Sequence, residues 1–424
     1  MGNDKFVIED INGIQIIDSR GNPTIRVKVK TKGGITGYGD APSGASKSSK
    51  EAIELRDGNK NYLHGRSVKK AVEIVNSYIR NALIGLDVRD QIIIDNILIT
   101  MDSTENKSKL GGNTCIATSI AVANTASKAL GIEIYEYLGG FVQSCLPIPI
   151  LNIINGGLHG GNKLSIQEFI ILPIGFKSFS ESLFSGVQVY MNLRDLINSK
   201  YGKHATTIGD EGGFSPPISK SSEAFDLINS AIENSGYKPG KEIYLGVDAA
   251  ASNFFNHGKY SIDERLLEPM EFLEYLRELA NNYKLLYLED PFEENQIQLY
   301  AELNKNLSGK SIIVGDDIVA TNNKILNEIV KKEPFSGVIV KPNQAGTLTE
   351  TFMFSRSARK AKLKLIVSHR SGDTESSFLA DLAVGLGAEL IKSGAPARGE
   401  RIAKYNRLLE IENSKNIPLC DIFI

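Results

Sequence analysis

Apolar and polar positions along the chain follow two rhythms, and the change between them divides it. In the first third, Ile25, Val27 and Val29 alternate with charged or polar neighbours, the period-two sign of a half-buried strand. A polar stretch over 37–50, rich in Gly and Ser, reads as a loop. Over 67–83, Val68, Val72, Val75, Ile79 and Leu83 recur at helical spacing and predict one apolar helix face. Strands followed by helices imply a small α+β unit. From about residue 146 short continuous apolar runs take over, with helical stretches between them. They read LPIPILNIIN, QEFIILPIG, ATTIGDEGG, IYLGVDAAA, LLYLEDP, SIIVGDD, GVIVKPNQ, KLIVSHRSG and ELIKSGAP. Continuous runs are what strands covered on both faces look like. Their repetition predicts an α/β domain, most simply a closed (β/α)8 barrel. A doubly wound open sheet is the alternative, but the G-x-G-x-x-G expected after its first strand is missing. The division falls between 1–140 and 141–424.

Many of these runs stop at an ionisable residue. Asp248, Glu289, Asp316, Lys341, His369 and Lys392 hold that position, carboxylates first and basic groups after. In a barrel the C-terminal strand ends ring one mouth, where active sites sit. Three carboxylates at one mouth repel each other unless a cation neutralises them, and oxygen-only donors suit Mg2+, or Mn2+ in its place. The plainer reading is that some of them pair with the lysines. Asp317 should point away from Asp316, to the opposite side of its strand. Lys341 and Lys392 would face the carboxylates, and a buried Lys near cations has a lowered pKa and can act as a base. An acid partner is sought in Glu211 of GDEGGF and Glu168 of QEF, since a carboxyl near other carboxylates can hold a proton. Arg370 and Ser371 offer a guanidinium fork and a hydroxyl for phosphate or carboxylate. His159 and His369 lie in segments expected at the mouth, whereas His64, His204 and His257 read as surface residues.

Composition narrows the class. The 424 residues are 42% hydrophobic and 23% charged, with a formal charge of −2, which argues against a broad nucleic-acid-binding face. Cys115, Cys145 and Cys420 are few, odd in number and widely spaced, so neither a disulfide framework nor a zinc site is expected. The start, MGNDKFVIED, lacks the apolar core of a signal peptide, and the apolar stretch over 146–154 is too short to cross a bilayer. A reduced, cytoplasmic setting is the expectation.

Longer blocks resemble a known family. KPNQAGTLTET, SHRSGDTE, IKSGAPARGERIAKYN, GDEGGF, LNIINGGLHGGN, LEDP and VGDD, with DSRGNPT, PSGAS, LRDG and LIGLD before them, are similar to the signature blocks of enolases, the archaeal members above all. The resemblance covers nearly the whole chain. It implies an N-terminal α+β domain (1–140) capping an enolase-type barrel (141–424) whose first strands depart from strict alternation. It also implies reversible dehydration of 2-phospho-D-glycerate to phosphoenolpyruvate in glycolysis and gluconeogenesis. By motif, Lys341 resembles the base and Glu211 the acid, with Glu168 supporting it. His159 and His369 resemble residues of closing loops. Gln167, Arg370, Ser371, Lys392 and Ser43 resemble substrate contacts. Asp248, Glu289 and Asp316 resemble the ligands of one Mg2+, and Ser46 the loop ligand of a second that arrives with substrate. A homodimer, or an octamer, is implied as well.

The loop PSGASKS departs from the family, which has Thr and Gly where this chain has Lys47 and Ser48; altered loop closure and substrate affinity are expected. Two other readings share parts of the pattern: a different acid dehydratase on the same barrel, and a non-catalytic scaffold. The first would keep the three carboxylates but not the KPNQ lysine, SHRS and PSGAS together. The second would be favoured by loss of Lys341, Glu211 or a carboxylate, and all are present.

Overall fold

The computed structural model describes residues 4–44, 48, 50–140, 145–415 and 417–422. The N-terminal part is built on an antiparallel sheet of β1 (Ile8–Ile17), β2 (Pro23–Thr31) and β3 (Thr36–Asp40). The alternation along β2 appears as full burial of Ile25, Val27 and Val29. The polar stretch expected to be a loop from residue 37 instead begins with β3. Its glycines explain the difference: a Cβ on Gly39 would lie 2.2 Å from the Ala117 carbonyl oxygen, and one on Gly37 2.5 Å from the Thr125 amide nitrogen. The helix Gly112–Leu130 therefore rests its backbone directly on the strand. The expected helix over 67–83 forms as Lys69–Ile74, a π turn Val75–Ile79 and Arg80–Leu83. Val68, Val75, Ile79 and Leu83 are fully buried. Within the π turn the Asn76 side chain accepts from the Gly13 amide (2.6 Å) and donates to its carbonyl (3.1 Å), completing the edge of β1.

The second part is a closed eight-stranded barrel. Its strands are β4 (Ile148–Asn155), β5 (Glu168–Pro173), β6 (Ile243–Asp248), β10 (Leu285–Glu289), β11 (Ile312–Gly315), β12 (Gly337–Val340), β13 (Lys364–Ser368) and β14 (Leu390–Lys392). A small hairpin sheet, β7 (Phe255–Asn256), β8 (Lys259–Ile262) and β9 (Arg265–Leu267), lies between β6 and β10 in the chain. β5 runs antiparallel to both β4 and β6, and the other neighbours are parallel. This is the departure from strict alternation that the family resemblance implies. Of the nine apolar runs, ATTIGDEGG does not become a strand. It forms a short 3-10 turn, Lys203–Thr206, and then a loop in which Gly212 holds a φ of +87°, leaving Glu211 on a loop. The barrel interior is filled by Ile148, Ile150, Ile170, Leu172, Val314, Ile339, Ile366 and Leu390, as expected of a packed core without a pore. The division expected after residue 140 adjoins residues 141–144, which lie outside those described.

One expectation is overturned at the floor of this barrel. Cys145 and Cys420 form a disulfide, with Cα atoms 4.8 Å apart and a sequence separation of 275. The C-terminal segment returns beside the entrance to β4, where the Leu146 amide donates to the Pro418 carbonyl (2.7 Å) and the Cys420 amide to the Leu146 carbonyl (2.8 Å). Ile422 then packs into the barrel core. Spacing along the chain carries no sign of this approach, because tertiary folding alone creates it. Cys115 stays a buried free thiol.

Candidate active site

The ionisable residues that end the apolar runs lie together at the barrel mouth. Asp248, Glu289 and Lys392 are the last residues of β6, β10 and β14. Asp316, Lys341 and His369 are the first residues beyond β11, β12 and β13. One cavity is lined by Asp248, Asp316, Lys341, His369 and Lys392, together with Gln167, Glu168, Glu211, His159, Arg370 and Ser371.

The carboxylates and lysines interlock. Lys392 Nζ donates to Asp248 Oδ2 and Glu289 Oε2, both at 2.8 Å, and lies 3.3 Å from Glu168 Oε2. Lys341 Nζ donates to Asp316 Oδ2. Burial pushes the Lys341 ammonium toward neutrality more than any single neighbour opposes it, but Asp316 and Glu289 act together against it, and its pKa is raised. The sequence reading expected it lowered; the difference arises because Asp316 pairs directly with the lysine. Burial and the neighbouring Asp248 push the Glu289 carboxyl up to about 8. Two carboxylate oxygens of this group, Glu289 Oε1 and Asp316 Oδ1, are buried without a hydrogen bond. Orphaned carboxyl oxygens cost free energy when buried unless a partner meets them. An all-oxygen donor set of this kind fits a hard divalent cation such as Mg2+.

On another wall Glu168 and Glu211 sit with His159, their ligating atoms all within 4.8 Å of one another. His159 Nδ1 lies 3.8 Å from Glu168 Oε1 and 3.7 Å from Glu211 Oε1. His369 Nε2 is 3.6 Å from Glu211 Oε2, to which Asn152 Nδ2 also donates at 3.3 Å. Two buried carboxyls this close do not both ionise freely. Burial and then Glu211 hold the Glu168 carboxyl well above the ordinary range. Burial also opposes ionisation of Glu211, but the flanking His159 and His369 draw it well below. Of the two carboxyls named as acid candidates, the raised one is therefore Glu168. His159 approaches both carboxyls, and His369 adds a second imidazole at Glu211.

The residues expected to contact substrate are distributed unevenly. Arg370 is buried and its Nη1 donates to Glu51 Oε2 (2.7 Å) from the N-terminal part. Arg20 Nη1 donates to Ser371 Oγ at 3.4 Å, and Asn253 Nδ2 to Gln167 Oε1 at 3.4 Å. The Ser43 hydroxyl donates to Glu54 (3.0 Å) and receives Arg56 (3.3 Å), while the Ser43 backbone pairs with Gly372. Ser43 thus docks the loop after β13, and its neighbour Gly44 lines the cavity. Ser46 and Lys47 lie outside the described residues. Ser48 Oγ donates to Glu294 Oε2 at 3.4 Å, fastening that end of the loop to the barrel. His64, His204 and His257 are exposed.

Two further carboxylates reach this site. Asp290 Oδ1 accepts the Asp316 amide and Oδ2 the Asp317 amide, both at 2.9 Å, and Tyr300 Oη donates to Oδ1 at 3.2 Å. Asp290, Asp316 and Asp317 bring carboxylate oxygens within 4.8 Å of each other. Asp317 therefore faces the cavity with Asp316 instead of turning away. β11 ends at Gly315, so the two-residue alternation no longer applies. Asp290 follows directly on the LLYLE strand, and its position after a carboxylate at a strand end is the one sequence signal that could have singled it out.

Residues 8–138 match the family described as enolase, N-terminal domain, and residues 143–417 the enolase C-terminal TIM barrel domain. A protein named enolase from Saccharolobus islandicus (strain L.S.2.15 / Lassen #1) is 57% identical over 411 residues, 96% of each chain. Others of that name are 56% identical in Saccharolobus solfataricus, over 96% of each chain, and 55% identical in Sulfurisphaera tokodaii, over 98% of each. From end to end, then, the chain belongs to the enolase family, the hydro-lyases also called phosphopyruvate hydratases.

Proposed function

We propose that the chain interconverts 2-phospho-D-glycerate and phosphoenolpyruvate, with Lys341 as the base and the Glu168–Glu211 pair as the acid. The observation that carries this reading is that one cavity holds a half-buried lysine just beyond β12 and a close carboxyl pair on other elements, one raised and one lowered. Elimination of water next to a carboxylate needs both: a base for the carbon-bound proton and an acid for the leaving hydroxyl. Glu211 would deliver the proton to the hydroxyl, and Glu168, whose carboxyl is raised, would resupply it. Arg370 and Ser371 would grip the phosphate, and Gln167 and Lys392 would orient the rest of the substrate.

Asp248, Glu289 and Asp316 would hold a Mg2+ ion, and Ser46 would add a ligand for a second. Bound there, the metal supplies positive charge where negative charge develops on the substrate carboxylate. Asp316, paired with Lys341 Nζ, would set how readily Lys341 becomes the neutral amine that abstraction needs. A dimeric assembly and a cytoplasmic location are part of the same proposal, resting on the family. No helix among the described residues is long and apolar enough to cross a membrane.

The decisive experiment is an enol-phosphate absorbance assay on 2-phosphoglycerate with and without Mg2+, comparing the wild type with Lys341→Ala. The wild type should turn over only with metal, and the variant should lose at least ~1,000-fold in kcat. Full activity in the variant would overturn the assignment of the base, and an inactive wild type would overturn the reaction.

A further inference from the structure

Beneath the site, on the helix Gly399–Lys415, lies an arginine with no solvent exposure. Arg401 Nη1 stands 2.6 Å from His369 Nδ1 and donates to the Arg370 carbonyl at 2.6 Å. Its Nη2 donates to the Ser371 carbonyl at 2.6 Å and the Asp210 carbonyl at 3.1 Å. One guanidinium thus ties three consecutive residues of the loop after β13 to the loop that carries Glu211. Gly394 makes room for this junction: its φ is +80°, and a Cβ there would lie 2.7 Å from the Glu211 carbonyl oxygen and 3.1 Å from both Arg401 Cδ and His369 Cε1.

A guanidinium can donate hydrogen bonds and cannot accept them. A nitrogen 2.6 Å from it must therefore offer a lone pair. His369 Nδ1 is then unprotonated, and the ring's single proton resides on Nε2, the atom 3.6 Å from Glu211 Oε2. We propose that Arg401 is a positioning residue of the acid machinery: it fixes His369 as the neutral Nε2–H tautomer and thereby keeps one donor aimed at Glu211. An imidazolium at this place would bring an N–H against the guanidinium and add a second positive charge beside it. The charged groups around His369 are Glu211, Arg401 and Asp373, and the ring's pKa is pushed down to about 4, by burial first and by Arg401 among the charges. His369 thus orients Glu211 without competing for the proton that Glu211 must deliver. The inference rests on the reading of Glu211 as part of the acid.

The test is nitrogen-15 NMR of the histidine rings in the full-length wild-type protein, across about pH 5 to 8. With five histidines in the chain, His369 is assigned by subtraction with His369→Gln. Should that variant fail to fold, His64, His204, His257 and His159 are removed singly instead. The expected result is a non-protonated Nδ1 and a protonated Nε2 that do not titrate across the range. A protonated Nδ1, in either the other neutral tautomer or the imidazolium, overturns the proposal. In Arg401→Lys the ring should regain titration, and kcat should fall about 10- to 100-fold with KM changed less than about threefold, the size seen when a partner orienting an active-site ligand is lost. Unchanged kcat in a folded variant whose His369 has lost its fixed tautomer also overturns it. The expected tautomer in a protein that does not turn over 2-phosphoglycerate would refute the proposed reaction and leave the Arg401–His369 geometry standing. Normal turnover with the wrong tautomer would refute only the role of Arg401.

Discussion

The disulfide at the barrel floor gives a prediction whose size can be worked from the chain itself. Cys145 and Cys420 close a loop of 275 residues. In the chain-entropy description a cross-link removes about 2.1 + 1.5R ln n cal/mol/K from the unfolded state, which for this loop is roughly 19 cal/mol/K, or ~5–6 kcal/mol near 25 °C. That is an upper figure, because measured disulfides deliver ~2–4 kcal/mol when the unfolded chain keeps some structure. Unfolding entropy of about 2.1 cal/mol/K per residue over 424 residues makes each kcal/mol worth roughly 1 °C, so removing the bond should lower the Tm by ~2–6 °C. The native contacts around it do not depend on the bond: the Leu146–Pro418 and Cys420–Leu146 backbone hydrogen bonds and the packing of Ile422 remain after reduction. Leu146 precedes the start of β4, at the end of the barrel opposite the mouth, so kcat should not change. The assay is a calorimetric melt of oxidised protein beside dithiothreitol-treated protein and the Cys145→Ser/Cys420→Ser variant, with thiols counted in denaturant. One thiol per oxidised chain, Cys115, is expected. Three thiols without reductant, or identical melts with the bond present and absent, would refute the reasoning.

Other perturbations test the site. Lys392→Met leaves Asp248 and Glu289 without their shared cation. In chelator it should lose ~3–5 kcal/mol of stability by urea titration, part of which Mg2+ restores; a variant as stable as wild type in chelator would contradict the burial argument. Asp290→Asn removes the ability to accept both the Asp316 and Asp317 amides through carboxylate oxygens, and should weaken Mg2+ binding measured by calorimetry about 10- to 100-fold. His369, with a folded-state pKa of about 4 against 6.5 unfolded, gives stability a slope with pH. Between those values the unfolded chain binds the proton and the folded one does not. The contribution is therefore fully present above pH 6.5 and falls by about 3 kcal/mol as the pH drops to about 4. His369→Gln should flatten that part of the urea-midpoint profile. Finally, restoring Thr and Gly at Lys47 and Ser48 should shift the Michaelis constant through loop closure, because Ser48 now fastens the loop to Glu294; an unchanged constant would rule that out.

What could be read from the chain depended on whether periodicity or tertiary approach created the feature. β2 and the barrel strands were legible because burial on one or both faces imposes a rhythm on apolar residues, and the strand-end positions of Asp248, Glu289, Asp316, Lys341, His369 and Lys392 followed from where each run stopped. β3 was missed because its glycines, needed for contact with the helix Gly112–Leu130, look like loop residues. ATTIGDEGG was misread as a strand because its apolar start resembles one, although paired glycines and a positive φ at Gly212 carry it away from the sheet. Asp317 faces the cavity because the strand rhythm stops at Gly315, two residues before it. The Cys145–Cys420 bond is invisible for a different reason: across a sequence separation of 275 no local signal says that the C-terminal segment returns to the barrel floor.

The protonation pattern exposes a limit of reasoning from residue type alone. A lysine near carboxylates and a carboxyl near another carboxyl each have two opposed influences, and their spacing along the chain cannot say which wins. At Lys341 burial is the largest single influence, yet Asp316 and Glu289 together hold the ammonium charged. At Glu211 two imidazoles outweigh burial, while Glu168, lacking a second imidazole, takes the raised pKa. Both outcomes depend on direct contacts between different strand ends and loops. They also make the site's charge state conditional on what the carboxylates hold. A divalent cation taking up Asp316 would remove the attraction that keeps Lys341 protonated, so metal occupancy and base strength are linked. Metal affinity and the apparent pKa governing kcat should therefore move together in any variant of Asp316. A variant in which Mg2+ binding weakens while that pKa stays fixed would break the link.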